Sequence, residues 1–250
     1  MAQFAKSCFL SFLLVFSLKV NAGDRLLTQV DDWIAENQLK IALEKVEKQL
    51  SSVKESSEWK VRKSRILSLM GDAKSLEEEK IDLYQKAQAV ATAAIESDPE
   101  NAGGYLRRAV AAGKLALYQG ILQSRALVIQ VKNDATNALE LKSISSYRKA
   151  LAHYLLGKVH LKLAEKPKAL RIPLGLGWAS KEKGEAYIEK AATRAPQSIP
   201  FNLEYAKRLL EQNQKKKAKA LLEAIQKLKI ADPDDPNLKK EAKQLLAELP

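Results

Sequence analysis

Cysteine is almost missing from this 250-residue chain: the only one is Cys8. Cys8 sits in an N-terminal stretch that reads as a removable leader, so beyond residue 22 there is no thiol to form a disulfide, ligate a metal or act as a nucleophile. Glycine (10), proline (8) and aromatics (6%) are scarce too, which leaves little material for loop-rich or strand-rich folds. No Asn past the leader is followed two residues later by Ser or Thr, so N-glycan acceptors are absent. His-Glu-x-x-His and Gly-x-Ser-x-Gly are absent as well. Gly175-Leu176-Gly177 is a lone Gly-x-Gly without a preceding strand or a third glycine, and it does not make a phosphate loop. The sequence therefore reads as a non-enzymatic binder, with no cofactor and no metal.

The leader is read from three features. Lys6 precedes an apolar run from Cys8 to Leu18, and Val20-Asn21-Ala22 offers small residues for cleavage. The run is well short of the ~20 residues that span a bilayer. Residues 1–22 are thus expected to be removed, with the mature chain beginning at Gly23 and no transmembrane segment left in it. Export without disulfides or glycans points to a bacterial periplasm. Net charge is +12, or +10 once Lys6 and Lys19 are removed, and it favours anionic partners. Nucleic acid is excluded, because no basic stretch is interleaved with aromatics for base stacking.

What the chain has in abundance is Ala, Leu, Lys and Glu, which lose little rotamer freedom in a helix. Apolar residues recur at helical spacing: Leu39, Ala42, Leu43, Val46, Leu50; then Ile81, Tyr84, Ala87, Val90, Ala91, Ala94; then Ala218, Leu221, Leu222, Ile225, Leu228. The spacing predicts helices over 24–36, 39–54, 57–71, 75–97, 102–119, 121–142, 146–165, 180–194, 200–212, 215–229 and 236–248. Ser75 with Glu78 reads as a capping box. Asp98-Pro99 and Ala195-Pro196 read as helix stops, and Asp235-Pro236 as a cap followed by proline at the first helical position.

The small residues keep a register. Ala87, Ala91 and Ala94 lead to Pro99, and Tyr105 and Ala109 follow. Gly184, Ile188 and Ala191 lead to Pro196, and Asn202, Tyr205 and Ala206 follow. Ala218, Leu222 and Ile225 repeat this one unit of about 34 residues later, which is the tetratricopeptide period. Small side chains at these points let paired helices approach closely. The fold is expected to be all-α, a superhelical stack of tetratricopeptide-type hairpins over residues 23–250, closed by a C-terminal capping helix.

From about Leu151 onward the chain resembles the regulator of microtubule dynamics family and related bacterial tetratricopeptide proteins associated with TRAP transporters. The resemblance rests on Ala152-His153 with Gly157, Pro167 to Arg171, Ala179-Ser180, Ala186, Ala191, Pro196, Leu203 and Ala206. It closes with Asp232, Asp235, Lys239, Glu241, Ala242 and Leu246. It implies a right-handed stack with a concave binding face and no catalytic machinery. The chain has no lipid-attachment cysteine at its cleavage site, and export separates it from any cytoskeleton.

Candidate site residues follow from patterns outside the repeat. Lys168 to Trp178 alternates apolar and other residues with no partner strand, so it reads as an ordered loop. Trp178 on this loop is the lip of a groove or a plug for the core, and Arg171 the anchor of an anionic group. Tyr105, Arg108 and Tyr147 are placed on the inner face. Lys215, Lys216, Lys217 and Lys219, with Lys227 and Lys229, form a basic strip that suits a solvated face or a docking surface for an acidic partner or anionic lipid. His153 and His160, seven apart, lie about 10 Å apart along a helix and do not chelate one ion. His160 is read as packing, with Phe expected to replace it at near-native stability. The function expected is an exported scaffold binding a protein or peptide on its concave face. The alternative is a carrier of an apolar small molecule or lipid under the 168–178 loop.

Overall fold

The computed structural model describes residues 22–52 and 56–249. The leader reading, apart from Ala22, lies outside the described residues. Twelve helices follow in order: α1 (Ala22–Ala35), α2 (Leu39–Ser52), α3 (Ser57–Asp72), α4 (Glu77–Ser97), α5 (Ala102–Ala116), α6 (Arg125–Glu140), α7 (Ser146–Ala164), α8 (Lys168–Arg171), α9 (Lys181–Arg194), α10 (Ile199–Glu211), α11 (Lys215–Lys227) and α12 (Asp235–Ala247). There is no strand among the described residues. No described helix is long and apolar enough to cross a membrane.

Helices pair as hairpins α1–α2, α3–α4, α5–α6, α7–α9 and α10–α11, and each hairpin packs on the next. The first helices of successive hairpins also meet side by side, α3 on α5 and α5 on α7, and α12 packs on α10 and α11 as a cap. The stack thus has an inner layer of first helices. The spacing of small residues is what allows this. Ala87, Ala91 and Ala94 of α4 are fully buried, and hydroxyls of α3 reach α4 carbonyls directly, Ser57 Oγ donating to Ala94 O at 2.9 Å and Ser64 Oγ to Ala87 O at 2.8 Å.

Two hairpins turn on the same device. After α1 and α10 the chain passes through Asn37 (φ 60°) and Asn213 (φ 59°), in the left-handed region that asparagine tolerates. In each, two amides close back on the helix end: Asn37 N and Gln38 N on Ile34 O and Trp33 O, Asn213 N and Gln214 N on Leu210 O and Leu209 O.

Some local expectations are corrected. The Ser75–Glu78 capping box does not form: α4 begins at Glu77 with Leu76 as its cap residue and no side-chain cap bond. Asp235 does not cap α12. Asp234 takes the cap position, and the Asp235 carboxylate accepts from the Ala231 and Asp232 amides at 2.7 and 2.9 Å, closing the loop before the helix. The helix expected from 121 begins at 125, because Ile121 turns into a cluster with Leu163, Leu176 and Trp178 rather than continuing a helical face. The 168–178 segment is ordered, as expected, but opens with the single turn α8.

Helices α7 and α9 approach each other closely. A Cβ on Gly157 would sit 2.7 Å from Ile188 Cδ1 and 3.1 Å from Gly184 O. Gly113, inside α5, has nothing nearer than Val131 Cγ2 at 3.7 Å. Gly157→Ala is therefore expected to destabilise by about 1–3 kcal/mol through overpacking. Gly113→Ala is expected to stabilise by about 0.5–1 kcal/mol through helix propensity. Urea unfolding of the two variants checks the contrast, and equal effects would sink the close-approach account.

Candidate binding face

The inner layer carries a chain of charges. Asp31 of α1 accepts from Arg62 Nη2 at 2.7 Å and from Arg65 Nη1 at 3.3 Å. Arg62 also meets Glu58 at 3.0 Å, and Glu58 meets Arg148 of α7 at 2.6 Å. Asn101, the cap of α5, accepts from the Gly103 amide and from Arg148 Nη1, and donates to Ser57 and Glu58. One polar seam thus joins the first four hairpins. Burial works against the Glu58 charge, but Arg148 and Arg62 outweigh it and hold the carboxyl below its ordinary value.

Arg65 ties α3 to the loop between α11 and α12. Its Nη2 donates to Asp232 Oδ1 at 2.7 Å and to Ala231 O at 3.1 Å, in the loop between α11 and α12. The stack therefore curves far enough for its C-terminal loop to reach α3. At the centre of this closure stands Arg107 of α5, half-buried, with no ion pair or hydrogen bond to any described residue. Burial pushes its pKa down to about 10 and the Arg65 and Arg148 guanidiniums add to the fall, while Tyr147 and the Asp232 carboxylate, itself engaged by Arg65, offset only part of it. The Tyr147 hydroxyl is near enough to interact with both Arg107 and Arg65. An unpaired guanidinium among two others is a place where an anion relieves repulsion. No pattern in the sequence singles out Arg107, since its neighbours there come from three separate elements, α3, α7 and the α11–α12 loop.

The sequence-derived candidates are placed unevenly. Tyr147 lies at this inner cluster, 41% exposed and stacked on Phe201 at 6.0 Å. Tyr105 packs against the core, with the Arg108 guanidinium 5.9 Å over its ring. Arg108 itself is engaged in a bidentate pair with Asp134 of α6, at 2.9 and 2.8 Å, and Asp134 is 2% exposed. That pair clamps α5 to α6 and leaves Arg108 little freedom to hold a ligand. Arg171 is 3% exposed, and its Nε and Nη1 donate to Lys166 O and Ala179 O, both at 2.9 Å. It is the staple of its own loop rather than a ligand anchor. Lys215, Lys216, Lys217 and Lys219 all lie exposed on the outer side of α11, with no ion pair among the described residues.

The 168–178 segment docks through Leu174, Leu176 and Trp178, while Leu170 and Ile172 stay exposed. Two of the five apolar residues therefore depart from the expectation of full docking. Beside it opens a cleft of about 370 Å³, with Lys132, Lys183 and Lys190 in its wall alongside His160, Trp178 and Tyr187. Ala186, Trp178 and Tyr187 give the wall an apolar side as well.

His160 Nδ1 accepts from the Ser180 amide at 3.1 Å, at the start of α9, and its ring packs edge-on against Trp178 at 5.0 Å. His153 and His160 both pack on Tyr187, at 5.8 and 5.5 Å. Packing is thus what the structure shows for His160, but phenylalanine is not an equivalent, because it supplies no acceptor.

Hairpins stacked at small residues, with a polar inner face, define a tetratricopeptide-type repeat scaffold. The chain belongs to the regulator of microtubule dynamics family: the model of Regulator of microtubule dynamics protein 1-3 matches residues 26–250. Its fold is similar to that of TTC0263, a thermophilic TPR protein of Thermus thermophilus, with a TM-score of 0.62 at 18% identity over 90% of this chain and 100% of that one. The MamA RS-1 ArsTM double mutant aligns with a TM-score of 0.40 at 15% identity, over 88% of this chain and 97% of that one. No curated protein matches the chain in sequence.

Both histidines have pKa values lowered from the ordinary value. Burial is the main cause, with Arg194 and Lys190 adding to it at His153 and Lys183 and Lys132 at His160. The unfolded chain then binds more protons than the folded one as pH falls through about 6.5. Stability is therefore expected to decline from pH 7.5 to 5.5, and a His153→Gln/His160→Gln variant to show a flatter profile. His160→Phe is expected to cost about 1–2 kcal/mol by orphaning the Ser180 amide. Urea titrations across that pH range check both, and a wild-type stability independent of pH would overturn the first.

Proposed function

We propose that this protein is an exported, non-enzymatic repeat scaffold that binds an acidic segment of a protein partner on its inner face, in the periplasm. Arg107 carries the proposal: a half-buried guanidinium without a partner, its pKa pushed down to about 10, gains most from a carboxylate brought to it. The same face already holds one carboxylate, Asp232 on Arg65 at 2.7 Å, so an acidic group is sterically at home there. The helical-repeat fold supports a protein rather than a small-molecule partner, because stacked hairpins present an extended surface to a chain segment. The leader pattern in residues 1–22 supports export.

Binding of a fluorescent Asp- and Glu-rich peptide, followed by polarisation, tests the site. Arg107→Ala is expected to weaken binding about tenfold, the loss of one charge-assisted contact, with unfolding unchanged or improved. Affinity should also fall as salt rises. Equal affinity of wild type and variant would remove Arg107 from the site. Export is checked separately, by N-terminal sequencing of material recovered from the periplasm. Gly23 is the expected first residue, and Met1 would refute cleavage.

A further inference from the structure

A second group of cations lies apart from the inner face, in the cleft between α6, α7 and α9. Lys132 comes from α6, and Lys183 and Lys190 from α9, seven residues apart and so on one side of that helix. No carboxylate lines the cleft. Of the three acidic residues of α9, Glu182 lies in the exposed first turn near Lys168 and Lys181, Glu185 faces Lys181 at 3.7 Å, and Glu189 accepts from the Tyr205 hydroxyl at 2.9 Å. None of the three lysines forms an ion pair with a described residue. Like charges gathered without a counter-charge repel, and an anion reverses the sign of that energy.

Two of the three ammoniums are also held in place. The Lys132 Nζ lies over the Trp178 ring at 4.9 Å and the Lys190 Nζ over the Tyr187 ring at 5.6 Å. Rings that pin flexible lysines lower the ordering cost of binding. His160 supports the floor: it packs on both rings, and its Nδ1 already accepts from the Ser180 amide, so the neutral ring carries its proton on Nε2. The cleft volume of about 370 Å³ falls at the lower end of the range that encloses small ligands.

From this geometry we infer that the cleft binds the phosphate monoester group of a small soluble ligand. Three ammoniums match a dianion better than the single charge of a carboxylate, since a phosphate monoester carries about −1.5 to −2 at neutral pH. The site is separate from the inner face at Arg107 and does not depend on the scaffold reading.

Isothermal titration of phenyl phosphate into the mature chain, with benzoate as the singly charged control, is the test. One saturable site is expected for phenyl phosphate, with benzoate about tenfold weaker or more. Lys183→Gln/Lys190→Gln is expected to weaken phenyl phosphate binding at least about tenfold, by loss of two charge-assisted contacts, at unchanged melting temperature because both side chains are exposed. Lys215→Gln/Lys216→Gln/Lys217→Gln, which removes at least as much charge from α11, should leave the affinity unchanged. Equal binding of benzoate, or an equal loss in the α11 variant, would reduce the effect to net charge and overturn the site. Vesicles bearing a phosphate-monoester headgroup, run in parallel, separate the sources. Capture by vesicles without phenyl phosphate binding would overturn the soluble ligand.

Discussion

The distance between paired helices is the constraint on which the rest depends. Where α4 meets α3 the contact residues are Ala87, Ala91 and Ala94, and serine hydroxyls of α3 reach α4 carbonyls at 2.8 and 2.9 Å. Where α7 meets α9, Gly157 and Gly184 leave no room for a Cβ. Such contacts bury little area per residue, so their energy comes from many close atom pairs rather than from large side chains. They also leave little slack. A hairpin held this tightly keeps its register against the next, and that register decides which side chains share the inner face.

The polar seam depends on that register. Asp31, Arg62, Glu58, Asn101 and Arg148 come from the first four hairpins, and apart from the Arg62–Glu58 pair within α3 each contact, from 2.6 to 3.1 Å, requires its two elements to be in place. Single exposed ion pairs contribute about 0–1 kcal/mol, so the seam does not hold the stack up. Its effect is specificity: a hairpin displaced by one turn would strand half-buried charges. The Arg65–Asp232 contact extends the same logic over 167 residues and fixes how far the stack curves.

Sequence patterns made the repeat legible because close approach needs small residues at fixed spacing, and spacing is visible in one dimension. All eleven expected helices are present, and the Asp98-Pro99 and Ala195-Pro196 stops fall where proline chemistry puts them. Caps were less legible. Ser75 and Glu78 have the right separation, but the helix starts two residues later, and Asp235 closes a loop instead of capping. Least legible were the long basic side chains. Arg108 reads as a free inner-face cation until Asp134 arrives from α6, and Arg171 reads as an anchor until its own loop folds around it. Reach is the reason: an arginine finds partners many residues away in sequence, and no periodicity encodes them.

An excess of basic residues, 42 against 30 acidic, has to stand somewhere, and the surroundings determine how much each unpaired charge matters. On α11 the lysines are exposed, where two charges 4 Å apart repel by only about 1 kcal/mol in bulk water. A strip of that kind persists without any partner. Arg107 and Lys132 of the cleft, both half-buried, stand differently. Near a protein surface the same pair repels by about 4 kcal/mol, and burial, with neighbouring cations adding to it, lowers both Arg107, to about 10, and His160. Charge left unpaired where it is expensive is more informative than charge left where it is cheap. By that measure the inner face and the α6–α9 cleft are better candidates to receive an anion than the conspicuous lysine run.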